Sequence, residues 1–222
     1  RPRLLLIRHS QRLRESSSAS SAVSAQVTET PRWTRGWLRN GDGTNTRIED
    51  VYIDPVDAPA HPDAVRAILE ADMILLGPGS LYTSVLPNLL VPGIRRSILA
   101  SGAHKVYICN VATQHGETDD FDVADHLHAI EEHVGKGFLH QVLANDNLAN
   151  AIPKATDSRP VRLDASINNG IRLTLADVVS EENRYHHDSA KLARTLMGIY
   201  YERDQMTPES EFQPDAVATA AE

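Results

Sequence analysis

The chain has 222 residues, 41% of them hydrophobic, enough for one sizeable α/β domain with tails. Its formal net charge is −8 and no apolar run reaches membrane-spanning length, which argues against a general nucleic-acid binder and against a membrane-embedded protein. The single cysteine, Cys109, can form no internal disulfide, and the opening apolar patch Leu4-Leu5-Leu6-Ile7 is too brief for a signal peptide, so a cytoplasmic location is expected.

Charge divides the chain. Residues 1–47 hold nine arginines against three acids, Glu15, Glu29 and Asp42, so the remainder is strongly acidic. Ser16-Ser17-Ser18-Ala19-Ser20-Ser21 is low in complexity, and 1–47 is expected to be partly disordered apart from a strand at Arg3–Ile7. Arg8-His9-Ser10 after that strand is similar to the opening of histidine phosphatases, but Ser10 stands where they have glycine and the chain downstream does not follow them.

Regular alternation begins at Ile48–Ile53, a strand. Pro62 opens a helix with Val65, Ile68 and Leu69 on one face, and Asp72–Leu76 is the next strand. A helix follows over Val91–Ser101, then a strand at Lys105–Cys109. Val123, Leu127, Ile130 and Val134 recur at helical spacing, with His126, His128 and His133 expected on the exposed face. Leu139–Leu143 and Val161–Leu163 are the last strands, and Asn183–Arg203 the last helix. No basic residue follows Arg203, so 204–222 is expected to be a disordered acidic tail. Strands separated by helices imply a mostly parallel sheet with right-handed crossovers, whose ligands sit outside the carboxyl strand ends.

Three successive strand ends are polar. The first, Gly77-Pro78-Gly79-Ser80-Leu81-Tyr82-Thr83-Ser84, follows the apolar run Met73–Leu76 and offers bare backbone and hydroxyls to an anion, most simply a nucleotide phosphate. The plainer reading is a strand-to-helix turn with a capping serine. It is neither a Walker loop nor a G-x-G-x-x-G loop. The second end, Asn110 to Thr118, carries Asn110 and Thr113, which suit a ribose or a phosphate, or else an Asx turn into a helix cap. The third is Asn145-Asp146-Asn147. His186-His187-Asp188 opens the last helix, where neighbouring side chains diverge by about 100°, so metal or acid–base work competes with two solvated histidines. No His/Cys/Asp set has zinc spacing and no nucleophile–base pair is evident, so neither a metal site nor a catalytic residue is expected.

Ala71–Ser84, Leu86–Val91 and Lys105–Thr118 together resemble the gluconeogenesis-factor (YvcK-like) branch of the 2-phospho-L-lactate transferase (CofD-like) superfamily, with weaker support from Asp125-His126, His187-Asp188-Ser189 and Lys191-Leu192-Ala193. The resemblance covers about residues 45–202 and implies a Rossmann-like three-layer α/β domain at 48–203. It implies a nucleotide ligand. In one branch this is a UDP-sugar, with roles in carbon metabolism and cell-wall or shape control, and NAD is a further candidate. In the transferase branch it is a GDP-linked phospholactyl donor used with magnesium. Carried over, Gly77, Gly79, Ser80, Leu81, Tyr82, Thr83 and Ser84 would hold phosphate, Asn110 and Thr113 would line the same cleft, and Asn88, Glu117, His187 and Lys191 are secondary candidates. The usual opening strand with a Gly-Gly-Gly-Thr-Gly loop has no match in residues 1–44, so that unit is expected to be divergent or missing, and strand edges left open would favour a homodimer. The place usually held by arginine before the His-Asp pair is His186, and a neutral imidazole cannot chelate a diphosphate as a guanidinium does.

Overall fold

A computed structural model describes residues 2–7, 32–39, 46–148, 157–163, 167 and 170–206. The serine-rich stretch, Arg8-His9-Ser10 and the tail beyond Met206 lie outside the described residues.

The core is a parallel sheet of five strands in the order β1 (Leu4–Ile7), β4 (Met73–Leu76), β5 (His104–Ile108), β6 (Gln141–Asn145), β7 (Arg172–Ala176). The central strands are apolar on both faces because both are covered. In β4, Ile74 and Leu76 join one hydrophobic cluster and Met73 and Leu75 the other. The first cluster packs under α1 (Pro62–Glu70), α2 (Leu86–Leu90), α3 (Pro92–Ala100) and α4 (Val123–Val134). The second packs under α5 (Ser189–Met206), which lays Leu192, Leu196 and Ile199 against the sheet. Helix, sheet, helix is the expected three-layer α/β arrangement.

Local chemistry fixes the helix ends. Asp122 caps α4 by accepting from the Asp125 amide at 2.9 Å, and Asp125 returns the bond to the Asp122 amide at 2.9 Å. Pro62 and Pro92 each stand at the start of their helix, where a missing N–H costs nothing. In α3, a Cβ at Gly93 would come within 2.6 Å of the Ala60 Cβ, a group that cannot swing away. Gly93→Val should therefore lower the unfolding free energy by about 2 kcal/mol, read as a urea midpoint shift without a change in slope.

The strand expected at Arg3–Ile7 is present: β1 pairs in parallel with β4 from Leu4↔Met73 to Ile7↔Leu76. Other expectations are corrected. Ile48–Ile53 does not join that sheet. It lies within β3 (Thr46–Asp54), which pairs antiparallel with β2 (Arg32–Arg39), a segment not expected to be regular. The register slips at Gly36/Trp37, so Glu49 is an extra residue in β3. That bulge brings Ile48 to the face that Val51 and Ile53 bury. Val161–Leu163 is not a strand: Val161 is buried, but its N–H goes to the Val111 carbonyl at 3.1 Å in a bridge beside β5, and the fifth strand is β7. The last helix starts at Ser189, after both histidines. His126 is fully buried, donating Nδ1–H to the Asp122 carbonyl at 2.7 Å with Phe121 edge-on to its ring. His133 is half-buried and accepts the Val51 amide on Nε2 at 3.2 Å, which fastens the β2–β3 ribbon to α4. Only His128 of the three is exposed. Among the described residues no helix is long and apolar enough to cross a membrane.

Candidate functional site

A cleft of about 660 Å³ opens at the carboxyl ends of β4 and β5, within the range of small-molecule sites. Its floor begins where β4 stops. The Gly77 amide still bonds to the Ile7 carbonyl at 3.1 Å, and then φ of +84° turns the chain out of the sheet. The Ser80 carbonyl takes the amides of Ser84 at 2.8 Å and Val85 at 3.1 Å, which winds Leu81–Val85 into a wide π-turn running straight into α2. Among the described residues, the amides of Gly79 and Ser80 have no acceptor, and both residues line the cleft.

Side chains extend this donor surface. Gln114 donates Nε2–H to the Ser80 hydroxyl oxygen at 2.7 Å and accepts from Asn110 Nδ2 at 3.4 Å. With its oxygen already accepting, the Ser80 hydroxyl keeps a hydrogen to give. One side chain thus joins the exit of β4 to that of β5. Thr113 lines the cleft, but its N–H donates to the Arg159 carbonyl at 2.8 Å and its hydroxyl accepts the Arg159 amide at 2.9 Å. That pair lays the segment from Ser158 along the cleft rim.

The far wall is His187. Its backbone bridges to Val179, and Nε2 lies 3.1 Å from the Cys109 carbonyl. Burial pushes the imidazole down to about 4, so the ring is neutral near pH 7. Asp188 follows as the cap of α5, accepting the amides of Ala190 at 2.9 Å and Lys191 at 2.8 Å. Burial pushes the Cys109 thiol up to about 12, so it stays protonated and inert.

Of the expected residues, Gly79, Ser80, Asn110, Thr113 and His187 line the cleft. The others do not. Gly77 is buried beneath the turn. Leu81 and Tyr82 are core side chains, 0% and 4% exposed, with Tyr82 edge-on to Phe121. Thr83 and Ser84 are half-buried on the π-turn and off the cleft wall. Asn88 is buried and donates to the Ser84 carbonyl at 2.7 Å, holding that turn together. Glu117 sits on the turn beyond Gln114. Lys191 is tied to Asp177 at 2.9 Å and to the Val179 carbonyl at 3.2 Å. The third polar strand end is structural too: Asn145 is buried, donating to the Asn147 carbonyl at 3.0 Å and accepting the Val178 amide at 3.2 Å.

Sequence reasoning missed Gln114 as a bridge, although it stands in the polar run after β5. Ser158 and Tyr185 carried no signal, since they arrive from segments far along the chain. The described lining carries no Asp, Glu, Lys or Arg, and its polar groups are hydroxyls, amides and imidazoles. Its chemistry is that of donor groups fixed in place, which suits oxygen-rich anionic ligands.

A family model described as 2-phospho-L-lactate transferase CofD matches residues 12–181. The chain belongs to the CofD family. The match begins earlier and ends earlier than the 45–202 expected. Curated relatives carry the name gluconeogenesis factor. The one from Bacillus subtilis is 36% identical over 192 residues, covering 82% of this chain and 61% of that protein. The one from Listeria monocytogenes is 52% identical over 159 residues, covering 68% of this chain and 48% of that protein. The chain therefore spans roughly half to three fifths of these CofD-family relatives. A crystal structure of a Bacillus halodurans protein of the UPF0052 family superposes with a TM-score of 0.64 at 35% identity, covering 72% of this chain and 57% of that one.

Proposed function

We propose that this CofD-family chain binds a nucleotide sugar, with UDP as the nucleotide, and acts as a regulatory binding protein of the gluconeogenesis-factor type in carbon metabolism and in control of cell wall and shape. The observation that carries the reading is the donor set at the β4 exit: two unspent amides, at Gly79 and Ser80, beside a Ser80 hydroxyl whose oxygen Gln114 already occupies. A diphosphate leaving water needs several such donors together. The name of the curated relatives supports the regulatory role. The described lining supports binding over catalysis, because no nucleophile–base pair faces the cleft.

A second reading follows the name of the matching family model: transfer of a phospholactyl group from a GDP-linked donor, with magnesium. Thermal-shift titration separates the two. UDP-N-acetylglucosamine at a hundredfold excess over its dissociation constant should raise the melting temperature by about 5–10 °C without magnesium. Gly79→Val should remove that shift, since a Cβ there would lie 3.1 Å from the Ser84 Cβ, and relieving that contact displaces the backbone that carries the two amides. A shift seen with GDP alone and only with magnesium would favour transfer. No shift with UDP-sugar, GDP or NAD would refute nucleotide binding by this chain.

A further inference from the structure

His187 occupies a position that an anion does not need. It faces the cleft from the wall made by the segment between β7 and α5, and the bridge to Val179 fixes its backbone. A carbonyl oxygen only accepts, so the 3.1 Å contact with Cys109 makes Nε2 the protonated nitrogen of a neutral ring. Nδ1 then carries a lone pair, and among the described residues it has no hydrogen-bond partner. A lone pair repels phosphate oxygens. It attracts N–H and O–H groups.

We propose that His187 Nδ1 accepts a hydrogen bond from a neutral donor on the ligand, a ribose hydroxyl or a base N–H, and thereby sets the ligand's direction in the cleft. The anionic group lies against Gly79 and Ser80, and the nucleoside lies against His187. This rests on the nucleotide reading above. The depressed basicity of the ring supports it, because burial keeps the acceptor free of a proton across the physiological range. Asn110 and Gln114 line the same cleft and tie into the Ser80 hydroxyl, so the lining offers opposite chemistries: donors at Gly79 and Ser80, an acceptor at His187.

The test compares His187→Gln with His187→Phe. Glutamine keeps both a donor for the Cys109 carbonyl and an acceptor oxygen, whereas phenylalanine keeps ring shape and removes both nitrogens. Affinities of UDP, of UDP-N-acetylglucosamine and of inorganic pyrophosphate are measured by calorimetry on variants first shown to melt as wild type does. His187→Phe should weaken UDP and the UDP-sugar about tenfold, the worth of one hydrogen bond, leave pyrophosphate unchanged, and cost more nucleotide affinity than His187→Gln does. In wild type, one of 2′-deoxy-UDP, 3′-deoxy-UDP or N3-methyl-UDP should show a similar loss, and that loss should vanish in His187→Phe. Equal weakening of pyrophosphate would make His187 a phosphate contact and overturn the assignment. Unchanged affinity for every ligand in both variants would also overturn it. Should wild type bind pyrophosphate and no nucleotide, the nucleotide reading itself fails, which is a separate result from failure of the His187 assignment.

Discussion

Gly77→Val is expected to lower the unfolding free energy by about 3 kcal/mol. Two costs combine. The residue sits at φ +84°, a region L side chains resist by about 1–2 kcal/mol, and a Cβ there would stand 3.0 Å from the Ile108 carbonyl oxygen. That oxygen belongs to the next strand of the sheet, so relief requires moving backbone between β4 and β5. Urea unfolding checks the value against Gly102→Ala, where a Cβ meets nothing within 4 Å. Midpoints of the two variants that coincide would show that the turn tolerates a side chain.

Acid should destabilise the protein well before its carboxylates titrate. His104, His126, His140 and His187 all have basicity lowered, in each case chiefly by burial. The folded state therefore holds fewer protons than the unfolded state below pH 6.5. Stability rises with pH over this window: it is fully present above about 6.5 and is lost as the pH falls through the folded-state values, which for His187 means about 4. His187 alone is worth about 3 kcal/mol across the window, given about 1.4 kcal/mol for each tenfold change. Unfolding free energies should hold steady from pH 7.5 to about 6.5 and fall from there to pH 4.5, less steeply in His187→Asn. A flat profile would contradict the buried, neutral state of these rings.

What was legible in the sequence follows from how locally each feature is determined. Met73–Leu76 reads as a covered strand because four consecutive apolar residues leave no solvent face, and the loop after it announces itself by glycine and hydroxyl content. Ile48–Ile53 was equally visible as a strand, but its partner was not: the run that pairs with it, Arg32–Arg39, is rich in arginine and tryptophan and has no clean alternation. A periodicity states that a face is buried and says nothing of what buries it. His126 shows the same limit from the other side. It falls between Val123 and Leu127 on α4, and only Phe121 and the Asp122 carbonyl, brought in by the cap, make a buried imidazole tolerable there. In the site, glycine and serine at the β4 exit were legible by type. Leu81 and Tyr82 share that motif yet serve the core, since every helical turn leaving a sheet must bury one side. Thr113 spends its hydroxyl on Arg159 and Asn145 its side-chain oxygen on Val178, each thirty or more positions away, and no local pattern encodes that.

The Gln114 amide has a practical bearing on redesign. Because it grips Ser80 with one end and Asn110 with the other, the two loops behave as a single mechanical part. A library that randomises only the first loop to alter ligand choice would keep meeting a fixed anchor from the second, and most of its members would lose alignment before they gained new selectivity. Varying position 114 together with 80 and 110 treats the trio as one dial.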